Sequence, residues 1–136
     1  MSTEPLICGQ WLKPGCHLDL VGAFRPDMRE CDNDAVRRAR LFVDTRVGAL
    51  KEGGDIVQPL ADGIINESEI VAELSELCQG AKSGRKTAEE ITLFKSVGSS
   101  IEDLAAAELV FEKLKRHFDF RCNVKPINIS PIIVCN

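Results

Sequence analysis

Six cysteines, Cys8, Cys16, Cys31, Cys78, Cys122 and Cys135, are the residues best able to carry chemistry in this sequence. None stands in a CxxC pair, and His17 and His117 do not complete a zinc-ligand spacing, so no metal site is expected. A strand through Cys16-His17 turns the two side chains to opposite faces, which argues against a thiolate–imidazole couple. Reduced, packing thiols are the expected state, because the chain has enough apolar residues to build a core without disulfides. Two glycine-containing stretches invite comparison with phosphate cradles. Gly53-Gly54 and Gly80-Ala81-Lys82-Ser83-Gly84 both lack the G-x-G-x-x-G spacing of a dinucleotide-binding turn, and the second is not a P-loop. Arg37, Arg38 and Arg40 cluster among Asp32, Asp34 and Asp44, which reads as a solvated helix face.

Composition narrows the partners. The 136 residues fit one ordinary domain or a piece of a larger one. With 44% hydrophobic and 28% charged residues and a net charge of −4, the chain reads as soluble and globular rather than disordered. Acids outnumber bases and the pI is about 5.2, so no nucleic-acid partner is expected. No apolar run approaches a membrane span and no signal peptide is visible, so no membrane partner is expected and the cytoplasm is the default compartment.

The elements that must position any site alternate between strand and helix. A short apolar segment, Ser2 to Cys8, precedes a buried strand over Cys16 to Val21 that Gly22 ends. Asp32 or Asn33 caps a helix carrying Ala35, Val36 and Ala39. Leu41 to Asp44 is a strand, and Thr45 begins a short helix closed by Gly53-Gly54. A loop is expected through Pro59 and Gly63, then one helix from Asn66 or Ser68 to Gly80 with Ile70, Val71, Leu74 and Leu77 as its stripe. Ile91 to Val97 is the clearest strand and Glu102 to Lys115 the clearest helix. Residues 119–136 depart from this grammar. Their apolar run contains Pro131 and is at best an edge strand.

Such alternation implies a largely parallel sheet with helices packed on it. Function in these sheets lies beyond the carboxyl ends of the strands. That selects Val21-Gly22-Ala23, Asp44-Thr45 and Ser96-Val97-Gly98 as the candidate rim.

Three stretches carry a family resemblance. Trp11-Leu12-Lys13-Pro14-Gly15 with Val21-Gly22-Ala23-Phe24-Arg25-Pro26-Asp27-Met28-Arg29-Glu30 is the first. Phe42-Val43-Asp44-Thr45-Arg46 through Gly54-Asp55 is the second. Ile91 to Gly98 with Glu102-Asp103-Leu104-Ala105-Ala106-Ala107 is the third. In this order and spacing they resemble the ornithine cyclodeaminase/mu-crystallin family over roughly residues 1 to 115. The resemblance implies an α/β fold: part of a doubly wound, Rossmann-like parallel sheet with flanking helices, lacking the glycine-rich first βαβ unit. It implies NAD or NADP as cofactor, an amino-acid or cyclic imine as substrate, and a homo-oligomer. Residues 1–100 would be the C-terminal half of the cofactor domain, and 101–118 a helix returning to a substrate and dimerisation domain. Residues 119–136 would be a divergent tail.

On this reading the family's substrate-holding Arg and Lys and its glycine-rich turn lie upstream. The chain alone is then expected to be inactive and to self-associate. The alternatives are a short paralogue, or a non-catalytic α/β remnant that packs or binds a small ligand.

The resemblance also implies site residues. Leu20, Val21 and Gly22 match the turn lying against the nicotinamide end of the cofactor, and Ser96 offers a hydroxyl nearby. The other reading of Ser96 is a strand-end serine serving local backbone. Arg25 stands where a substrate carboxylate could be held, or else pairs with Asp27 or Glu30. Phe24 occupies a position where cyclodeaminases carry an aspartate that moves protons. Asp27 could replace that acid if its loop turns it inward; otherwise it faces solvent. This departure favours a ketimine reductase, acting on substrates such as pyrroline-2-carboxylate, over an ornithine cyclodeaminase. Asp44 is expected to cap the helix at Thr45, and Asp103 to sit in the opening turn of the last helix, favourably placed at its N-terminus.

Overall fold

Four short strands pair in parallel in a computed structural model that describes residues 2–117. They are β1 (His17–Leu20), β2 (Arg40–Val43), β3 (Ile70–Glu73) and β4 (Thr92–Lys95), in the spatial order β1-β4-β2-β3. β4 is therefore inserted between β1 and β2, with Leu18, Leu93 and Leu41 in one register and Leu20, Lys95 and Val43 in another. Each register projects to one face. Helices α1 (Asn33–Arg38), α2 (Arg46–Glu52), α3 (Gly54–Ala61) and α4 (Leu74–Cys78) make the crossovers.

The helix starts are chemically specified. Asp32 caps α1 by accepting from the Ala35 N–H at 2.8 Å, and its same oxygen accepts from the Gly9 N–H at 2.9 Å. Thr45 caps α2 by accepting from the Gly48 N–H at 3.2 Å. Leu18, Leu20, Leu41 and Leu93 pack with Ala35 and Val36 of α1 and with Leu12 and Ile65. Val43 and Ile70 pack with Ala49 and Ile56 in a second cluster.

Two segments differ from the sequence reading. Residues 66–80 are not one helix: a single 3-10 turn, Glu67–Glu69, leads into β3 and then α4. Ile70 and Ala72 are buried while Val71 and Glu73 are half-buried, and the strand takes its backbone partners from β2. Ile70, Leu74 and Leu77 satisfy helical spacing, and the open ladder of β2 outcompetes it. The loop expected through Pro59 is instead the helix α3. It buries Ile56 and Pro59, and this burial offsets the backbone hydrogen bond that the proline forfeits inside the helix. Gly54 opens this helix rather than closing the previous one. A Cβ there would overlap the carbonyl oxygens of Met28 and Arg25, so the close approach of that loop requires glycine. The short apolar segment over residues 2–8 joins the rest of the fold through an isolated bridge between Ile7 and Cys31.

Residues 2–100 form one unit, and the described residues from 101 on belong to a second. The described part of the second is helix α5 (Ser100–His117), with Glu102 and Asp103 in its first turn. Ile101, Leu104, Phe111 and Leu114 are exposed along it. The expected tail, with Cys122, Pro131 and Cys135, lies outside the described residues. Among the described residues no helix is long and apolar enough to cross a membrane.

Candidate functional site

The carboxyl ends of β1, β2 and β4 share one edge of the sheet, and two carboxylates hold the backbone there. Asp44, immediately after β2, is buried. Its Oδ1 accepts from the Thr45 N–H at 2.7 Å. Its Oδ2 accepts from the Ser96 hydroxyl at 3.0 Å and from the Val97 and Gly98 N–H groups at 2.8 Å each. The expected helix cap is thus a correction: Thr45 caps α2, and Asp44 fixes the chain leaving β4. The reason is reach. One oxygen of Asp44 lies across the β2–β4 pairing, where three donors converge.

The second carboxylate fixes the chain leaving β1. Glu30 Oε2 accepts from the Gly22 N–H at 2.7 Å and the Ala23 N–H at 3.0 Å, and from Lys95 Nζ at 3.0 Å. Lys95 is 0% exposed and stands in register between Leu20 and Val43. Its ammonium also lies 3.3 Å from Asp55 Oδ2, an ion pair whose oxygen takes no hydrogen bond. Asp55 Oδ1 accepts from the Glu30 and Cys31 N–H groups at 2.8 and 3.1 Å. Arg29 closes the cluster, with Nε 3.7 Å from Asp55 and its guanidinium donating to the Cys31 carbonyl and Asn33.

Burial would raise the Glu30 pKa, but the Ala23 N–H, the Lys95 ammonium and the Gly22 N–H together hold it below the usual 4.5. A carboxylate with a depressed folded-state pKa contributes stability above its unfolded pKa, and that contribution is lost as pH falls through the folded value. Wild type should therefore exceed Glu30→Gln in urea midpoint at neutral pH. The gap should close below pH 4.5. A gap that persists into strong acid, after Glu30 is protonated, would refute the assignment.

Around these anchors the loop of residues 21–31 is bolted to α3. The Gly54 N–H donates to the Ala23 carbonyl, and Gln58 Nε2 donates to the carbonyls of Pro26 and Met28. Val21 (62% exposed) and Phe24 (42%) are the large apolar residues this loop exposes. Leu20 points inward, buried, so it offers a ligand only backbone. Arg25 and Asp27 meet at 2.8 Å with side chains 60% and 56% exposed. Such a pair contributes about 0–1 kcal/mol, so either partner is readily exchanged for a ligand group. The structure turns Asp27 outward to Arg25, and the Ser96 hydroxyl toward Asp44, with the Gly98 N–H donating back to Ser96 Oγ at 3.2 Å. Val21, Gly22 and Ser96 do converge on the rim: the Ser96 N–H donates to the Leu20 carbonyl at 3.0 Å.

Sequence reasoning missed Lys95, Asp55 and Arg29, and missed what Glu30 does. A signal existed in β4, where Lys95 shares the parity of Leu93 and hence the buried face. Cys31 is fully buried, and desolvation pushes its pKa far up. No metal-binding group forms among the described residues. A cavity of about 310 Å³ opens on the other face of the sheet, lined by His17, Phe42, Thr92 and Phe94 of the strands and by Leu74 and Leu77 of α4. Its polar groups serve one another: His17 Nδ1 and Thr92 Oγ1 are 2.7 Å apart, and Arg85 donates to Thr92.

Comparison with known proteins agrees with this architecture. The model of the ornithine cyclodeaminase/mu-crystallin family matches residues 1–117. The ketimine reductase mu-crystallin of Mus musculus is 46% identical over 112 residues, which are 82% of this chain and 33% of that protein. The Thermococcus litoralis Δ1-pyrroline-2-carboxylate reductase, solved with NADH and L-proline, superposes with a TM-score of 0.79 at 46% identity, covering 85% of this chain and 36% of the other. An archaeal alanine dehydrogenase dimer with bound NAD gives a TM-score of 0.75 at 33% identity over 86% of this chain and 37% of that one. The chain spans about a third of the length of the relatives it matches.

Proposed function

The chain belongs to the ornithine cyclodeaminase/mu-crystallin family, and on that premise we propose that it serves NAD(P)-dependent reduction of a cyclic ketimine. The apolar rim carries this reading: Val21 and Phe24 lie exposed beside the turn Leu20-Val21-Gly22, with no carboxylate at position 24. A flat, partly apolar ring such as nicotinamide suits those side chains. The residues present fit the nicotinamide end of a dinucleotide and not its pyrophosphate, for which no G-x-G-x-x-G turn exists in the chain. When bound, the nicotinamide supplies the hydride.

The chain's own residues orient. Arg25 leaves its surface pair with Asp27 to hold the substrate carboxylate. The turn after β1, pinned by Glu30, sets the wall against which the ring rests. Reduction needs one hydride at the imine carbon and one proton at nitrogen. Cyclodeamination needs further proton transfers, to close a ring and release ammonia, for which phenylalanine at position 24 offers nothing. The free thiols Cys8, Cys16, Cys31 and Cys78 suit the cytoplasm. A homo-oligomer is favoured by the dimeric alanine dehydrogenase relative and by the apolar residues displayed on α5.

A chimera tests this. Residues 1–117 replace the matching segment of the T. litoralis reductase, and two assays are run: NADH oxidation with pyrroline-2-carboxylate, and ammonia release from ornithine. Imine reduction without ammonia release is expected. Ammonia release with Phe24 in place, or a well-folded chimera that reduces nothing, would overturn the reading.

A further inference from the structure

We propose that Glu30, held by Lys95, is a positioning residue that fixes the nicotinamide-facing turn after β1 for hydride transfer; the proposal rests on the functional reading above. In a parallel ladder the Gly22 N–H would continue to the neighbouring strand. Here the Gly22 N–H leaves the ladder, and it and the Ala23 N–H converge on one oxygen, Glu30 Oε2, at 2.7 and 3.0 Å. A Cβ at Gly22 would stand 2.7 Å from Glu30 Oε1, so any larger residue there would push the carboxylate from its place.

The oxygen is then fixed from below by Lys95 Nζ at 3.0 Å. Asp55 grips the same loop eight residues on, through the Glu30 and Cys31 N–H groups, and also faces Lys95. Side chain and backbone of Glu30 are therefore held by one buried cluster that spans β4 and α3.

Stability alone does not account for it. Lys95 lies between Leu20 and Val43, where an apolar side chain would pack without desolvating a charge. Replacing buried ion pairs with apolar residues is often neutral or stabilising. What the charges add is placement: charge-assisted hydrogen bonds are short and directional, and these end on the amides bearing the Val21 rim. A wall fixed within a fraction of an ångström matters for a reaction that depends on aligned donor and acceptor carbons.

Glu30→Gln keeps the shape and removes the charge. In the chimera, kcat for imine reduction should fall roughly 10-fold while KM for NADH and imine stays within about twofold, as expected when a hydrogen bond to a charged group is weakened at the moment of transfer. In the 136-residue chain, amide exchange of residues 21–25 should quicken roughly 10-fold while residues 96–99, held by Asp44, keep their rate. An active chimera whose Glu30→Gln variant keeps its kcat overturns the proposal. So does a fall in kcat matched by an equal slackening of residues 96–99, which marks general loosening. A folded wild-type chimera without reductase activity instead defeats the functional reading, and the positioning of the turn is then judged on exchange at residues 21–25, where an unchanged rate refutes it.

Discussion

Replacing Lys95 with methionine is expected to remove about 3–5 kcal/mol of stability, the usual cost of stripping one partner from a buried ion pair. Methionine nearly fills the lysine stem, so the loss measures charge rather than a cavity. Without the ammonium, the fully buried Asp55 and the half-buried Glu30 face each other across the space it occupied, and Arg29 at 3.7 Å neutralises only Asp55. Domains of this size have about 5–15 kcal/mol in total, so the variant should sit near the edge of folding at neutral pH. Its deficit should shrink in acid, as Glu30 takes up a proton. The urea midpoint across pH reads both effects. A loss below about 1 kcal/mol would mean that the cluster relaxes around the missing charge.

Calorimetric titration of these 136 residues with NAD+ or NADPH should show no saturable heat at millimolar concentration, and the chain alone should not oxidise NADH. The expectation follows from where the helix-start donors go. At the rim, α2 offers its first amides to side chains: the Arg46 N–H donates to Glu73 Oε2 at 3.1 Å, and the Gly48 N–H donates to Thr45. At α1 the Ala35 N–H is taken by Asp32, and the opening of α3 is pressed against the carbonyls of Arg25 and Met28. A pyrophosphate finds none of these three helix starts free in the way dinucleotide folds present one. Positioning lost with it is worth ~7–11 kcal/mol of barrier. Saturable micromolar binding would overturn this account and direct attention to residues outside the rim.

Local chemistry made much of the fold legible. Asp32 announces α1 because a cap is settled within three residues, whereas at α2 the adjacent Asp44 and Thr45 compete for that role and only the fold assigns it to Thr45. The runs around Leu18, Phe42 and Leu93 announce β1, β2 and β4, and their alternation with helices implies the parallel sheet and hence the edge where the rim lies. Phe24, Arg25 and Asp27 could likewise be placed on one loop at that edge. By contrast, Ile70, Leu74 and Leu77 fit a helix as well as they fit β3 followed by α4. The choice was made by the unpaired ladder of β2, some thirty residues away in sequence. Pro59 and the Gly53-Gly54 pair read as breakers, yet α3 forms because Ile56 and Pro59 find a buried surface to cover.

The sequence by itself determined the family, the sheet class and the residues at the rim, since each depends on contiguous motifs or on short-range periodicity. Tertiary structure alone decided how the rim is held. Lys95 meets Glu30 across 65 positions, Glu30 meets Asp55 across 25, and Asp44 reaches Ser96, Val97 and Gly98 across 52 to 54. Pairings at that range follow from the insertion of β4 between β1 and β2. A buried charge declares its partner only when packing has excluded water and left one counter-charge within reach.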